Sequence, residues 1–193
     1  MGQVRRVVTG HDKNGKAIVV SDGPAPTHSN PLRPGQLSHE IWKTNASPIP
    51  IGRTEPDPIA GARQLHPAPK GTMFRISEVP PESDVIRNMT PEQARAAFRA
   101  SNAEEASTWG RGGRHPLMHR TETVDYAVVL EGEIVLILDN EDVKLKAGDV
   151  VIQRGTSHAW SNRSGKTVKM LYVLCDGDFT PELDGKFWAG APK

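Results

Sequence analysis

The stretch Gly113–Asn162, GRHPLMHRTETVDYAVVLEGEIVLILDNEDVKLKAGDVVIQRGTSHAWSN, decides how this chain is read. It opens with Gly113, five residues, His119, one residue, Thr121, three residues, Asp125, six residues and Gly132. It closes with Gly148, four residues, Gln153, Arg154, Gly155, two residues, His158, three residues and Asn162. Between these segments, VDYAVVL (Val124–Leu130) and EIVLIL (Glu133–Leu138) flank Glu131-Gly132. Aliphatic, β-branched runs around a glycine predict a β-hairpin turning at Gly132, which tolerates the positive φ of a tight turn. Asp139–Asp142 and Ala147–Asp149 predict further turns. Val143–Leu145, Val150–Gln153 and Thr167–Cys175 predict further strands. Short strands at close spacing indicate an all-β sandwich or barrel, and without alternating long helices a parallel α/β sheet is disfavoured.

Period-2 alternation says which side chains meet. If His119 points inward, Thr121, Leu117 and His115 share its face. Asp125, Ala127 and Val129 share a face on the next strand, and His158, Trp160 and Asn162 on a later one. A small barrel closes over its inward residues, so His119, Asp125 and His158 can converge. Two imidazoles and one carboxylate with open positions suit Fe(II), and also Zn, Mn or Ni.

The two spaced segments resemble the paired motifs of the cupin superfamily. Its first motif carries His-x-His followed by a Glu, its second carries one more His, and the four commonly hold a metal inside a small β-barrel. Here Thr121 stands at the second His and Asp125 at the Glu. The resemblance covers residues 113–175 and implies an all-β, jelly-roll double-stranded β-helix with extra N-terminal strands and one short helix. It implies a divalent metal on His119, Asp125 and His158. A metal-free pocket lined by the same residues is the alternative.

Each candidate has a plainer competitor. His119 and His158, the candidate catalytic residues, compete with hydrogen-bonded core histidines. Asp125 competes with a turn cap or an ion pair to Arg120 or Arg154. His115 precedes Pro116, so its i, i+4 spacing to His119 is not that of a helical zinc site. It is read as solvated by default, or as a ligand or acid/base at the barrel mouth. Thr121, Gln153, Trp160 and His115 are the candidate substrate-binding residues, with core packing an equal competitor for Trp160. Trp109–Arg114 (WGRGGR) lacks the Lys-Ser/Thr of a phosphate loop. It reads as a connector, or as a place where Arg111 or Arg114 closes over an anionic substrate.

The rest of the chain sets bounds. Its 193 residues suit one domain, and 24 Lys plus Arg against 23 Asp plus Glu leave a net charge of +1. That balance carries no electrostatic footprint for nucleic acid or an anionic membrane. The single cysteine, Cys175, fits a reducing cytoplasm and reads as a buried small hydrophobe. No apolar run approaches eighteen residues, and the N-terminus lacks a signal-peptide core. Arg5–Thr9 and Ala17–Ser21 predict a hairpin turning at Asn14-Gly15. Gly23–Pro34 reads as an extended connector, and Ser38–Thr44 and Thr72–Val79 as strands. Pro48–Lys70, with six prolines, reads as a long arm or active-site cover. Thr90-Pro91-Glu92-Gln93 predicts a capping box and a helix to about Ala106, laying Ala94, Ala97, Phe98 and Ala100 on the barrel exterior. The organisation expected is N-terminal strands, arm and helix over 1–110, core motifs over 111–176 and a tail over 177–193, in one structural domain.

The expected function is cupin-type enzymology on a small organic carboxylate or enolisable molecule, in a homodimer. Three chemistries stay open at this point. A metal could polarise the substrate or activate oxygen, giving an oxygenase, lyase or decarboxylase. A metal-independent isomerase, lyase or cyclase could use His119 or His158 as base with Asp125 orienting it. A non-catalytic binding domain is the third, and fold-level analogy cannot choose among them.

Overall fold

The computed structural model describes residues 3–30, 33–59 and 64–183. The strands, in chain order, are β1 (Arg5–His11), β2 (Ala17–Pro24), β3 (Thr27–Ser29), β4 (Leu37–Thr44), β5 (Thr72–Val79), β6 (Thr123–Glu131), β7 (Glu133–Ile137), β8 (Asp142–Lys146), β9 (Val150–Arg154), β10 (Ala159–Ser161) and β11 (Val168–Asp176). Two short helices, α1 (Asp84–Arg87) and α2 (Pro91–Arg99), lie between β5 and β6. A six-stranded sheet in the order β3-β4-β5-β11-β6-β9 stands with a three-stranded sheet, β10-β7-β8, while β1 and β2 form a separate ribbon. The all-β expectation therefore holds.

Alternation builds the inner wall of the large sheet. On β6, Thr123, Asp125, Ala127 and Val129 are buried while Tyr126, Leu130 and Glu131 are exposed. On β5, Met73, Arg75, Ser77 and Val79 are buried. Register aligns these rows: Tyr172 of β11 sits between Arg75 and Ala127, and Leu174 between Met73 and Asp125. The core between the sheets joins Val79, Ala127, Val129, Ile134, Val168 and Met170. A second cluster, Met118, Val135, Ile137 and Ala159, lies on another side of β7. That accounts for the unbroken apolar run of β7: both its faces are covered.

Several expectations are corrected. β6 and β7 are not a hairpin, because β6 pairs with β11 and β9 whereas β7 pairs with β10 and β8. Gly132 has φ +85°, but it carries the chain from one sheet to the other. A two-residue turn and a sheet-to-sheet corner make the same demand on that residue. The helix ends at Arg99 instead of running to Ala106, and a 3₁₀ turn follows at Glu104–Ala106. Within the expected connector, β3 pairs with β4. The β1–β2 hairpin is found, with Gly15 at φ +76° in its turn.

Candidate functional site

The inner face of the large sheet, β10 and α2 enclose a half-open cavity of about 140 Å³. His119, Asp125, His158 and Trp160 line it together. Its wall also includes Arg33, Arg75, Phe98, Leu117, Tyr172 and Leu174.

His119 and His158 arrive by backbone pairing. Each donates its peptide N–H to the other's carbonyl, both at 2.9 Å, which sets the two imidazole centroids 4.5 Å apart. Each ring is also oriented by its own loop. Nδ1 of His119 lies 3.0 Å from the Leu117 carbonyl, and Nδ1 of His158 lies 2.9 Å from that of Thr156. A carbonyl can only accept, so Nδ1 carries the proton in both rings and the lone pair falls on Nε2. Burial disfavours an imidazolium, and His158 is pulled down to about 4 even though the Thr156 carbonyl favours the charged form.

Asp125 is held on β6 between Gln153 and Leu174. Its carboxyl is pushed up to about 6 by burial, against the opposing effects of a Thr123 hydrogen bond and the Arg75 charge. Its buried Oδ1 has no hydrogen-bond partner among the described residues. Neither pairing anticipated for it forms. Arg120 instead donates to the Gly155 carbonyl at 2.7 Å and lies over the Phe179 ring. The charge that acts on Asp125 is Arg75.

The other candidates lie elsewhere. Thr121 bonds Thr123 at 2.8 Å, and Gln153 donates to the Thr156 carbonyl at 3.4 Å; neither lines the cavity. Gln153 Oε1 is buried without a partner among the described residues. His115 is not solvated: it is 6% exposed and its Nε2 lies 2.8 Å from Glu82. Leu117 and His119 share the cavity as the period-2 reading expects, but His115 and Thr121 do not, and on the His115 side the chain closes a turn, Met118 N–H to His115 carbonyl at 2.9 Å. Asn162 also turns away, donating to the carbonyls of Val79 and Lys166. Arg111 donates to the Glu105 and Ser107 carbonyls and Arg114 pairs with Asp142, so neither closes over the cavity. Cys175 is half-buried.

Several wall residues were not site candidates from sequence, Tyr172 and Leu174 of β11 among them. Arg33 comes from the connector before β4 and donates to the Trp160 carbonyl at 3.1 Å. Arg75 comes from β5 and lies 3.5 Å from Glu40. Phe98 comes from α2, which places Ala97 and Phe98 in the cavity wall, while Ala94 is buried outside the lining and Ala100 is exposed. An arginine inside an apolar strand (TMFRISEV) was the one available signal, since a strand interior that carries a charge must supply it with partners.

Donor chemistry bears on the implied metal. The Nε2 lone pairs of His119 and His158 are of the right type for a divalent ion. Among the described residues, however, no three His, Cys, Asp or Glu side chains are grouped so as to hold one. Two donors fit and a three-donor set is not gathered among the described residues, so the acid–base step proposed for this cavity uses none.

Comparison with known proteins agrees with the fold. The family model described as Cupin domain matches residues 108–174. Phomopsin biosynthesis cluster protein D of Diaporthe leptostromiformis is 30% identical over 187 residues, covering 96% of this chain and 84% of that protein. The cupin-domain-containing oxidoreductase fogC of Aspergillus ruber is 27% identical over 183 residues, covering 91% and 74%. The cupin domain of Schizosaccharomyces pombe Cnp3 aligns over 94% of this chain and 91% of its own, with a TM-score of 0.41 and 10% identity. With the motif spacing, the two-sheet barrel and a full-length relative in agreement, this chain belongs to the cupin superfamily.

Proposed function

We propose that this chain is an enzyme that moves a proton on a small enolisable organic molecule bound in the cavity, with Asp125 as general base and acid. The observation that carries this reading is the buried Asp125 carboxyl in the cavity wall, whose Oδ1 has no partner among the described residues and whose pKa is pushed up to about 6. A carboxyl near 6 is largely ionised at neutral pH yet basic enough to accept a proton, which suits acid–base catalysis. In the step, the C–H bond next to a carbonyl breaks and its proton goes to Asp125 Oδ1. The electron pair moves onto the carbonyl oxygen, where the Arg75 guanidinium favours the negative charge. Asp125 then returns the proton at another position, giving isomerisation, or a leaving group departs, giving elimination. The Nε2 atoms of His119 and His158 accept hydrogen bonds from substrate hydroxyls and orient the molecule. The names of the relatives, biosynthesis cluster protein and oxidoreductase, support a small-molecule substrate.

A second reading is favoured by the tautomers of His119 and His158. Both place a lone pair on Nε2, and a divalent Fe, Mn, Ni or Zn ion held there would polarise a bound carbonyl.

One experiment separates the two. Phenylpyruvate and oxaloacetate are incubated in D₂O with the protein, and loss of the acidic C–H resonance is followed by NMR, with metal content measured on the same sample. Catalysed exchange that survives chelation and drops 10²-fold or more in Asp125→Asn supports the proton-transfer reading. Exchange unaffected by Asp125→Asn sinks it. Exchange lost on chelation and restored by one metal transfers the role to the metal.

A further inference from the structure

Two features of the cavity remain outside that chemistry, and together they define what fits. The first is a run of rings. Phe98 lies 5.2 Å from His119 between centroids, His119 4.5 Å from His158, His158 6.1 Å from Trp160, and Trp160 5.6 Å from Tyr172. All five line the cavity, in a chain with only 5% Phe, Trp and Tyr. Successive rings meet at 43°, 47°, 80° and 69°, and a wall so rich in rings favours another flat ring over a saturated body of equal size.

The second feature is a buried cation. Arg33 is 8% exposed and lines the same cavity. Burying a guanidinium is costly unless charge and hydrogen bonds compensate. The chain provides the Trp160 carbonyl at 3.1 Å and favourable electrostatic contributions from Tyr172 and then Glu82. Glu82 is itself fixed by His115 at 2.8 Å and by the Ser161 hydroxyl at 2.7 Å. Burial pushes the Glu82 carboxyl up, but the His115 and Ser161 hydrogen bonds outweigh it and leave it below its ordinary range. Glu82, His115 and Ser161 are not cavity residues. They form a hydrogen-bonded polar cluster outside the cavity lining, and Arg33, on which the Glu82 charge acts, lines the cavity.

Resting on the reading of this cavity as the substrate site, we propose that it takes a planar, conjugated carboxylic acid, with its ring against the five-ring wall and its carboxylate on Arg33. A guanidinium recognises a carboxylate through two parallel N–H donors. The anchor lies on the connector before β4 and the acid–base group on β6, so the substrate spans the cavity between them.

The test is calorimetric binding of benzoate, benzamide and cyclohexanecarboxylate, which separate charge from planarity. Wild type is expected to bind benzoate at least tenfold more tightly than either of the others. Arg33→Met abolishes the preference for benzoate over benzamide. Trp160→Leu reduces the preference for benzoate over cyclohexanecarboxylate. If thermal melts show Arg33→Met unfolded, Arg33→Lys decides: it keeps the charge but loses the fork, so the benzoate-to-benzamide ratio falls yet stays above one. Equal binding of the three ligands by wild type, absence of benzoate binding, or an unchanged ratio in the Arg33 variants overturns the proposal. The wild-type titration itself keeps the two readings apart, because benzoate has no enolisable C–H and its binding reads selectivity without any proton transfer.

Discussion

Asp125 and His158 are driven in opposite directions by one cause, since burial disfavours a carboxylate and an imidazolium alike. The Asp125 carboxyl rises to about 6 from 3.8 and the His158 imidazole falls to about 4 from 6.5. By linkage, the native preference for protonated Asp125 stabilises the fold below pH 4 and is lost as pH rises through 6. The native preference for neutral His158 stabilises above pH 6.5 and is lost as pH falls through 4. Each is worth about 3 kcal/mol at 1.36 kcal/mol per unit, and in the shared window they cancel. Asp125→Asn should therefore gain about 3 kcal/mol relative to wild type between pH 4 and 6. Urea unfolding across that range checks it, and a difference that stays flat with pH contradicts it. His119, Asp125, His158 and Trp160 were legible from motif spacing. Arg33 and Arg75 were not, because a residue outside the motif has no spacing to betray it.

At the scale of elements, α2 brings Ala97 and Phe98 to the cavity wall, so its N-terminus has functional weight. Thr90 Oγ1 accepts the Gln93 N–H at 3.2 Å, and Gln93 Oε1 accepts the Thr90 N–H at 2.8 Å. Pro91 occupies the first helical position, where its missing N–H costs nothing. Thr90→Ala should remove about 1 kcal/mol of stability, read as a lower Tm, while Thr90→Ser restores it. The capping box was readable because it is local: four adjacent residues satisfy one another. The early end of the helix was not readable, since Asn102 at φ +53° and the bond from the Ala103 N–H to the Phe98 carbonyl fold the chain back against α2. Nor was the change of sheet at Gly132, because strand pairing depends on partners distant in sequence.

For the molecule as a whole, the large sheet interleaves distant parts of the chain. β4 and β5 from the first half lie beside β11 and β6 from the second, and the sheet ends on β9. Register sets Tyr126 opposite Ile152 and Val128 opposite Val150. Tyr126, Val150 and Ile152 are exposed, so an apolar strip runs along the open edge of this sheet. Such strips are usually covered, and the homodimer expected from the family resemblance would supply a second copy to cover it. Light scattering after size exclusion should give twice the chain mass for wild type and the single-chain mass for Val150→Lys/Ile152→Lys. A monomeric wild type, or a dimer insensitive to both lysines, refutes this placement.

What the sequence determined by itself was whatever rests on local spacing. Aliphatic and β-branched runs gave the strands, Asn14-Gly15 the turn of the first hairpin, the Thr90–Gln93 box the start of α2, and the two motifs the convergence of His119, Asp125, His158 and Trp160 on one cavity. The tertiary structure decided which strands pair, that His115 serves Glu82 and not the cavity, and that Arg33, Arg75 and Phe98 complete the wall. The physical reason is range. Backbone conformation and side-chain alternation are set by neighbouring residues, whereas the partner of a buried charge is chosen by packing across the whole fold.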